Sequence, residues 1–347
     1  GTGATFKTFG TSSIMIGDST TGTIDAANYN TGLGIDVFAA LTTGDDNTAI
    51  GFAALDALTT GPRNTAVGSN ALGANTTTAD NTAVGSNALL VNVSGDQNTA
   101  IGSGTLEANT SGRNNVAVGM DALTVCTTGD DNTAMGASAL ALMTTASDNS
   151  AFGSGSLART TTGANNVAMG WMSLLNNTTA SSNTAVGSSA LTANTTGAQN
   201  VAVGNNTLAA NTTGSLNVAM GHIALDANTT GTENVAIGTY ALSSSTTAGT
   251  NTAIGHYALY DNTDGTKNVG VGWRAAYQQT TPSHNTAVGY QALQGTTTGG
   301  ENTAIGAFAM AANTTAANNT AVGKSAGTAV TTGASNTYLG AEAGEGN

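Results

Sequence analysis

The stretch Asn234-Val235-Ala236-Ile237-Gly238 decides the fold, because the same pentad form returns at a fixed interval along the chain. Counted from its asparagine, the register runs through Asn47, Asn64, Asn81 and Asn98 to Asn319 and Asn336, every 17 residues, with no insertion or deletion. Extended backwards it reaches Asn30 and then Ser13, for about 20 coils in one phase. A constant period in this range marks a stacked repeat architecture, so the length of 347 residues measures one continuous body and not a number of globular domains.

Positions are numbered 1 to 17 from the asparagine. Asn47, Gly51, Asn234, Ile237, Gly238 and Leu242 typify the structural repeat: Asn at 1, an apolar residue at 4, Gly at 5 and Leu at 9. Position 2 is mostly Thr or Val, which suits a strand, and position 8 is small. The constancy of Gly at 5 predicts a backbone demand, either positive φ or a close approach at a corner. Asn194-Thr195-Thr196-Gly197, at positions 12 to 15, has turn chemistry. Each coil is therefore expected to be a short strand, a Gly corner, a second short strand and a polar turn, with successive coils paired parallel and in register. No 3.6-residue period survives that would support a helix. Strand alternation puts positions 2 and 4 on one face and 3 on the other. The large residues at 4 and 9, Ile237 and Leu242, are assigned to the core, and the small residues at 3 and 8 to a face approached by another copy. So thin a core predicts a homo-oligomer, most simply a cyclic trimer.

Only 8% of residues are charged and the net charge is -13, which argues against a sequence-independent grip on nucleic acid and against anionic membranes. No apolar run approaches the ~20 residues that span a bilayer, so no membrane insertion is expected. The single Cys126 makes no intrachain disulfide and sits where most coils have Asn. Residues 1–12 read as an N-terminal cap or junction in which Phe6 and Phe9 plug the core, 13–344 as the continuous solenoid and 345–347 as a tail. The start lacks Met and a basic leader, as in a processed or partial chain.

The pentads at 234–238 and 47–51, with Ser13-Ile14-Met15-Ile16-Gly17, resemble the repeat of YadA-like head domains in trimeric autotransporter adhesins, and the resemblance covers residues 13 to about 344. It implies a left-handed parallel β-roll, a tight homotrimer and a role in adhesion. The Asn-Thr-Ala-Val-Gly-x-x-Ala-Leu form with Asn-Thr-Thr-Gly turns looks still more like the shafts of phage tail fibres. The expected function is thus an extracellular structural fibre: a virion tail-fibre segment that contacts neighbouring fibre segments and spaces or presents host attachment, with a host-surface glycan or protein as receptor. The alternative is the passenger of a bacterial surface adhesin. An ice-binding solenoid ranks lower, because position 2 alternates Thr with Val as a buried slot would.

No catalytic constellation stands out, no cofactor is implied and the chain is read as a non-enzyme. His222, His256 and His284 have no Cys or His at metal-ligand spacing. Asp131 and Asp148, at position 17 of successive coils, are weak candidates for Ca²⁺ and more simply solvated turn carboxylates. Asn75-Thr76-Thr77 matches a glycosylation sequon, which the repeat itself explains. The informative deviation is at positions 6, 7 and 10, small or polar in most coils. There the later coils carry Trp171, Met172, His222, Ile223, Tyr240, His256, Tyr257, Tyr260, Trp273, Arg274, Tyr277, Tyr290 and Phe308. Equal positions line up along one edge of a solenoid, so these side chains form either a ladder that contacts receptor or glycan, stacking on sugar rings, or the filling of an intersubunit groove.

Overall fold

In the computed structural model, residues 5–9, 13–17 and 26–345 are described, and among them the only regular structure is strand. The side chains of Phe6 and Phe9, and residues 346–347 of the expected tail, lie outside this set. The strands are numbered β1 to β21 in chain order. The chain forms two compact units, Gly1–Met172 and Ser173–Asn347. The first holds β1 (Thr5–Phe9) and β2 (Ser13–Gly17) through β11 (Val167–Met169), and the second holds β12 (Thr184–Val186) through β21 (Thr337–Leu339). Within each unit, consecutive strands from β2 and from β12 onward pair parallel with equal positions opposite, as in Val235↔Thr252, Ala236↔Ala253 and Ile237↔Ile254. The protein is an all-β parallel solenoid with a 17-residue coil. β1 breaks the pattern, pairing antiparallel to β2 with Thr5 opposite Gly17.

At positions 3, 4 and 8 the interior is the reverse of the one expected from side-chain size, while Leu at position 9 is in the core as expected. Ala236 and its counterparts Ala49 and Ala185 are fully buried, as are Ala241 and Leu242 at positions 8 and 9. Position 4 faces outward: Ile50 is 36% and Leu33 48% exposed, and Ile237 is only partly covered. The alanines at 3 and 8 thus fill the core and face no partner. Gly270, the one glycine at position 3 of the second unit, shows why. A Cβ there would meet Leu259 Cγ at 3.0 Å and the Ala275 carbonyl oxygen at 3.3 Å. The opposite wall lies one methyl group away, so position 3 takes Ala and a branched residue has room only outside.

Two buried columns of amides complete the core. Asn234 is fully buried. Its Nδ2 donates to the Ala248 carbonyl at 2.9 Å and to Asn217 Oδ1 at 3.1 Å, while its Oδ1 accepts the Asn251 amide at 3.0 Å. Position 12 repeats the device: Asn211 Nδ2 donates to Asn194 Oδ1 at 2.9 Å and to the Gly214 carbonyl at 2.9 Å. These asparagines belong to the interior and not to a polar turn, and each ladder bond satisfies a buried group that would otherwise cost about 1–3 kcal/mol.

The second strand expected after the corner does not form; a turn occupies positions 6 to 11. Its backbone alternates through the left-handed region, with Tyr240 at φ 56° and Leu242 at φ 52°. The amides accordingly point both ways: Gly238 and Tyr240 donate to Met220 and His222 in the coil before, and Leu242 and Ser244 to Ala258 and Tyr260 in the coil after. Gly238, at φ 132°, has a conformation few other residues adopt, and an added Cβ would lie 2.6 Å from the Gly255 oxygen. Positive φ and close approach are both present at the corner. In β21, Tyr338 replaces the position 3 Ala, and position 9 becomes Gly327 and Gly344, where a Cβ would collide with the Tyr338 ring. The ring takes the volume that Leu fills elsewhere.

Candidate functional site: an aromatic and arginine surface on the second unit

Positions 6 and 7 follow the Gly corner, and their hydrogen bonds set the ladder. The amides of Tyr240, Tyr257, Arg274, Gln291 and Phe308 each donate to the position 6 carbonyl of the preceding coil, at 2.9 to 3.1 Å. Equal positions therefore stack coil over coil. Tyr240 and Tyr257 are parallel, with centroids 5.1 Å apart; Tyr260 and Tyr277 are parallel at 5.3 Å; Trp273 and Tyr290 stack at 4.8 Å. Edge contacts join the stacks: Tyr257 to Tyr260 at 5.2 Å and to Tyr277 at 5.9 Å, and Tyr290 to Phe308 at 5.2 Å. His222 meets Tyr240 edge-on at 5.9 Å, and His256 lies 4.1 Å from Tyr257.

Arg274 ties the two groups of rings together, its guanidinium carbon 4.6 Å from the Trp273 centroid, 4.9 Å from Tyr277 and 5.8 Å from Tyr257. Such cation–π contacts contribute about 0.5–1 kcal/mol each at exposed sites. Its Nε is buried and hydrogen-bonds to nothing. In the first unit Arg63 pairs with Asp80 at 2.6 Å, which holds the Asp80 carboxyl below its ordinary value. Two carboxylates border the rings. Asp226 has an unpartnered, buried Oδ1, and burial raises its pKa while nearby His222 opposes the rise. Burial also raises Asp261, and it raises the Tyr260 phenol.

The structure thus brings nine of the proposed contact residues together. Trp171 belongs to the first unit, where it is 54% exposed. For the expected stacking on sugar rings, each stacked pair already covers one face of both its rings. Edges, phenol hydroxyls, imidazoles and the guanidinium remain as the contact surface, with Tyr290 and Phe308 the most open of the phenyl rings. Arg274 is the member whose central place residue type alone did not reveal; the signal was the one cation in the position 7 column.

The other candidates resolve simply. Asp131 and Asp148 are exposed, at φ 58° and 61°. Among the described residues no three His, Cys, Asp or Glu side chains gather to hold a metal. Cys126 replaces an Asn of the buried position 12 column, and burial pushes its thiol up to about 11. Asn75, the sequon asparagine, is fully buried. His284 lines a shallow open depression with Pro282 and Glu301. Among the described residues no helix is long and apolar enough to cross a membrane. No protein-family model matches the chain, and a search among curated proteins returns no match.

Proposed function

We propose that the chain is an extracellular structural and adhesion element, a segment of a phage tail fibre that spaces and presents a host-receptor contact, and that it works as a homotrimer. The carrying observation is that Asn at position 1 and Gly at 5 scarcely vary while bulky, chemically varied side chains are concentrated at positions 6, 7 and 10 of the second unit, where they form one connected surface. Replacing Tyr257 and Trp273 together with Ser tests it: receptor-bearing cells should lose binding of an otherwise intact oligomer, and undiminished binding removes the receptor role. The passenger of a bacterial adhesin shares this logic and differs by a membrane anchor in the full gene.

Self-association is supported by the outward position 4 column, whose Val, Ile, Met, Phe and Leu side chains make an uncharged apolar ladder in each unit. An Ile237→Asp, Ile254→Asp pair should shift light scattering to a smaller species. One observation favours a second reading. Position 2 points outward beside position 4, so Thr252 and Ile254 with their counterparts present a regular two-column array to solvent. That is the geometry an ice-binding face needs, and thermal hysteresis by a monomer at micromolar concentration would favour it over the oligomer.

A further inference from the structure

We infer that the Arg274 surface is an anion-recognition site and that the receptor it takes is an acidic polysaccharide, one that carries a carboxylate or sulfate on its sugars. This rests on the receptor reading above and names its ligand class.

Arg274 is one of seven Lys and Arg side chains in a chain of net charge -13, so its position in the middle of the ring cluster is chemically conspicuous. Three ring centroids lie 4.6 to 5.8 Å from the guanidinium carbon and its Nε is buried, so the two terminal nitrogens are the donors it can offer a planar oxyanion. Among the described residues no carboxylate makes an ion pair with Arg274. The nearby groups add donors. Tyr257 and Tyr277 lie against the cation, Tyr260 and the exposed His256 adjoin those rings, and Tyr240 and the exposed His222 extend the cluster into the preceding coils; each phenol and imidazole can donate to an oxyanion or a sugar hydroxyl. Each stacked pair covers one face of its rings, so the hydroxyl and imidazole donors at the edges carry much of the recognition, which favours a ligand rich in acceptors.

Position 7 lies in the left-handed region in both units, and the first unit there carries residues that tolerate it, such as Asn70, Asn87 and Ser138. In the second unit Ile223, Tyr240, Tyr257, Arg274 and Phe308 occupy the same conformation, Arg274 at φ 52°. The turn imposes this backbone on every coil, and in the second unit it carries aromatic rings and Arg274 where most other coils carry small or polar residues.

The test uses the whole chain and three probes: oligogalacturonate, its methyl ester and a heparin-derived oligosaccharide, followed by calorimetry. One or both acidic probes should bind, weakening as salt rises, and removal of charge in the ester should reduce binding by about tenfold or more. Arg274→Gln should abolish the difference between acid and ester, and Arg274→Lys, which keeps the charge without the fork, should restore part of it. Circular dichroism confirms that both variants are folded. Carboxylate and sulfate preferences separate by which probe wins. Equal binding of acid and ester, an Arg274→Gln variant with unchanged affinity, or no binding of either acidic probe would each overturn the proposal. Cell binding that depends on Tyr257 and Trp273 but not on Arg274 would overturn it while leaving the receptor role standing.

Discussion

Position 7 of the first unit and position 7 of the second have the same backbone and opposite surfaces. In the first, Asn70 and Asn87, at φ 56° and 59°, hydrogen-bond side chain to side chain at 3.3 Å. In the second, Tyr240 and Tyr257, at φ 56° and 60°, stack ring on ring. The coil is therefore specified from within, by Gly, Ala, Leu and two amide columns, and the outer columns are free to change chemistry without altering the fold.

If that holds, equivalent interior substitutions should act alike in both units and outer ones should not. The largest effect is expected at the corner. Gly85→Ala and Gly238→Ala both force a Cβ onto the next coil's carbonyl, and each should destabilise by on the order of 3 kcal/mol or more in urea unfolding. Leu89→Ala and Leu242→Ala, fully buried, should each cost about 2–5 kcal/mol. Unequal losses at either pair would break the equivalence. Asn234→Ala strands the Asn251 amide and the Ala248 carbonyl and should cost about 1–3 kcal/mol.

Outer substitutions separate the units. Tyr257→Asn installs the residue found at Asn87; it loses ring contacts of about 0.5–1.5 kcal/mol each and relieves the left-handed strain, so stability should move little while binding falls. Asn87→Ser should change neither. The smallest effect concerns Asp226, whose folded pKa is raised above 3.8 by burial. At pH above that raised value the ionised carboxyl is held at a cost, which disappears as pH falls through the folded pKa and the group takes up its proton. Asp226→Asn should thus slightly stabilise the second unit at pH 7, and the gain should vanish under acid conditions. Cys126, its thiol up at about 11, should stay unmodified by a thiol reagent at pH 8 in the folded protein.

Much of this architecture was legible in the sequence. The 17-residue phase, the Gly at 238 and its counterparts, and the in-register parallel pairing follow from a repeat without insertions, because stacking must place equal positions over one another. The clustering of Tyr240, Tyr257, Tyr260 and Tyr277 follows for the same reason. Inside and outside did not follow. Alternation says that Ala236 and Ile237 face opposite ways but not which way is in, and the larger side chain misleads when the opposite wall stands one methyl group from the strand. Nor does residue type tell a turn asparagine from a buried one; Asn194 and Asn234 are interior because their amides meet carbonyls that only the closed coil brings around. Sequence by itself determined the period and the corner. Tertiary structure alone decided the faces, because the width of the interior is set by two stretches of backbone that meet only after the coil has closed.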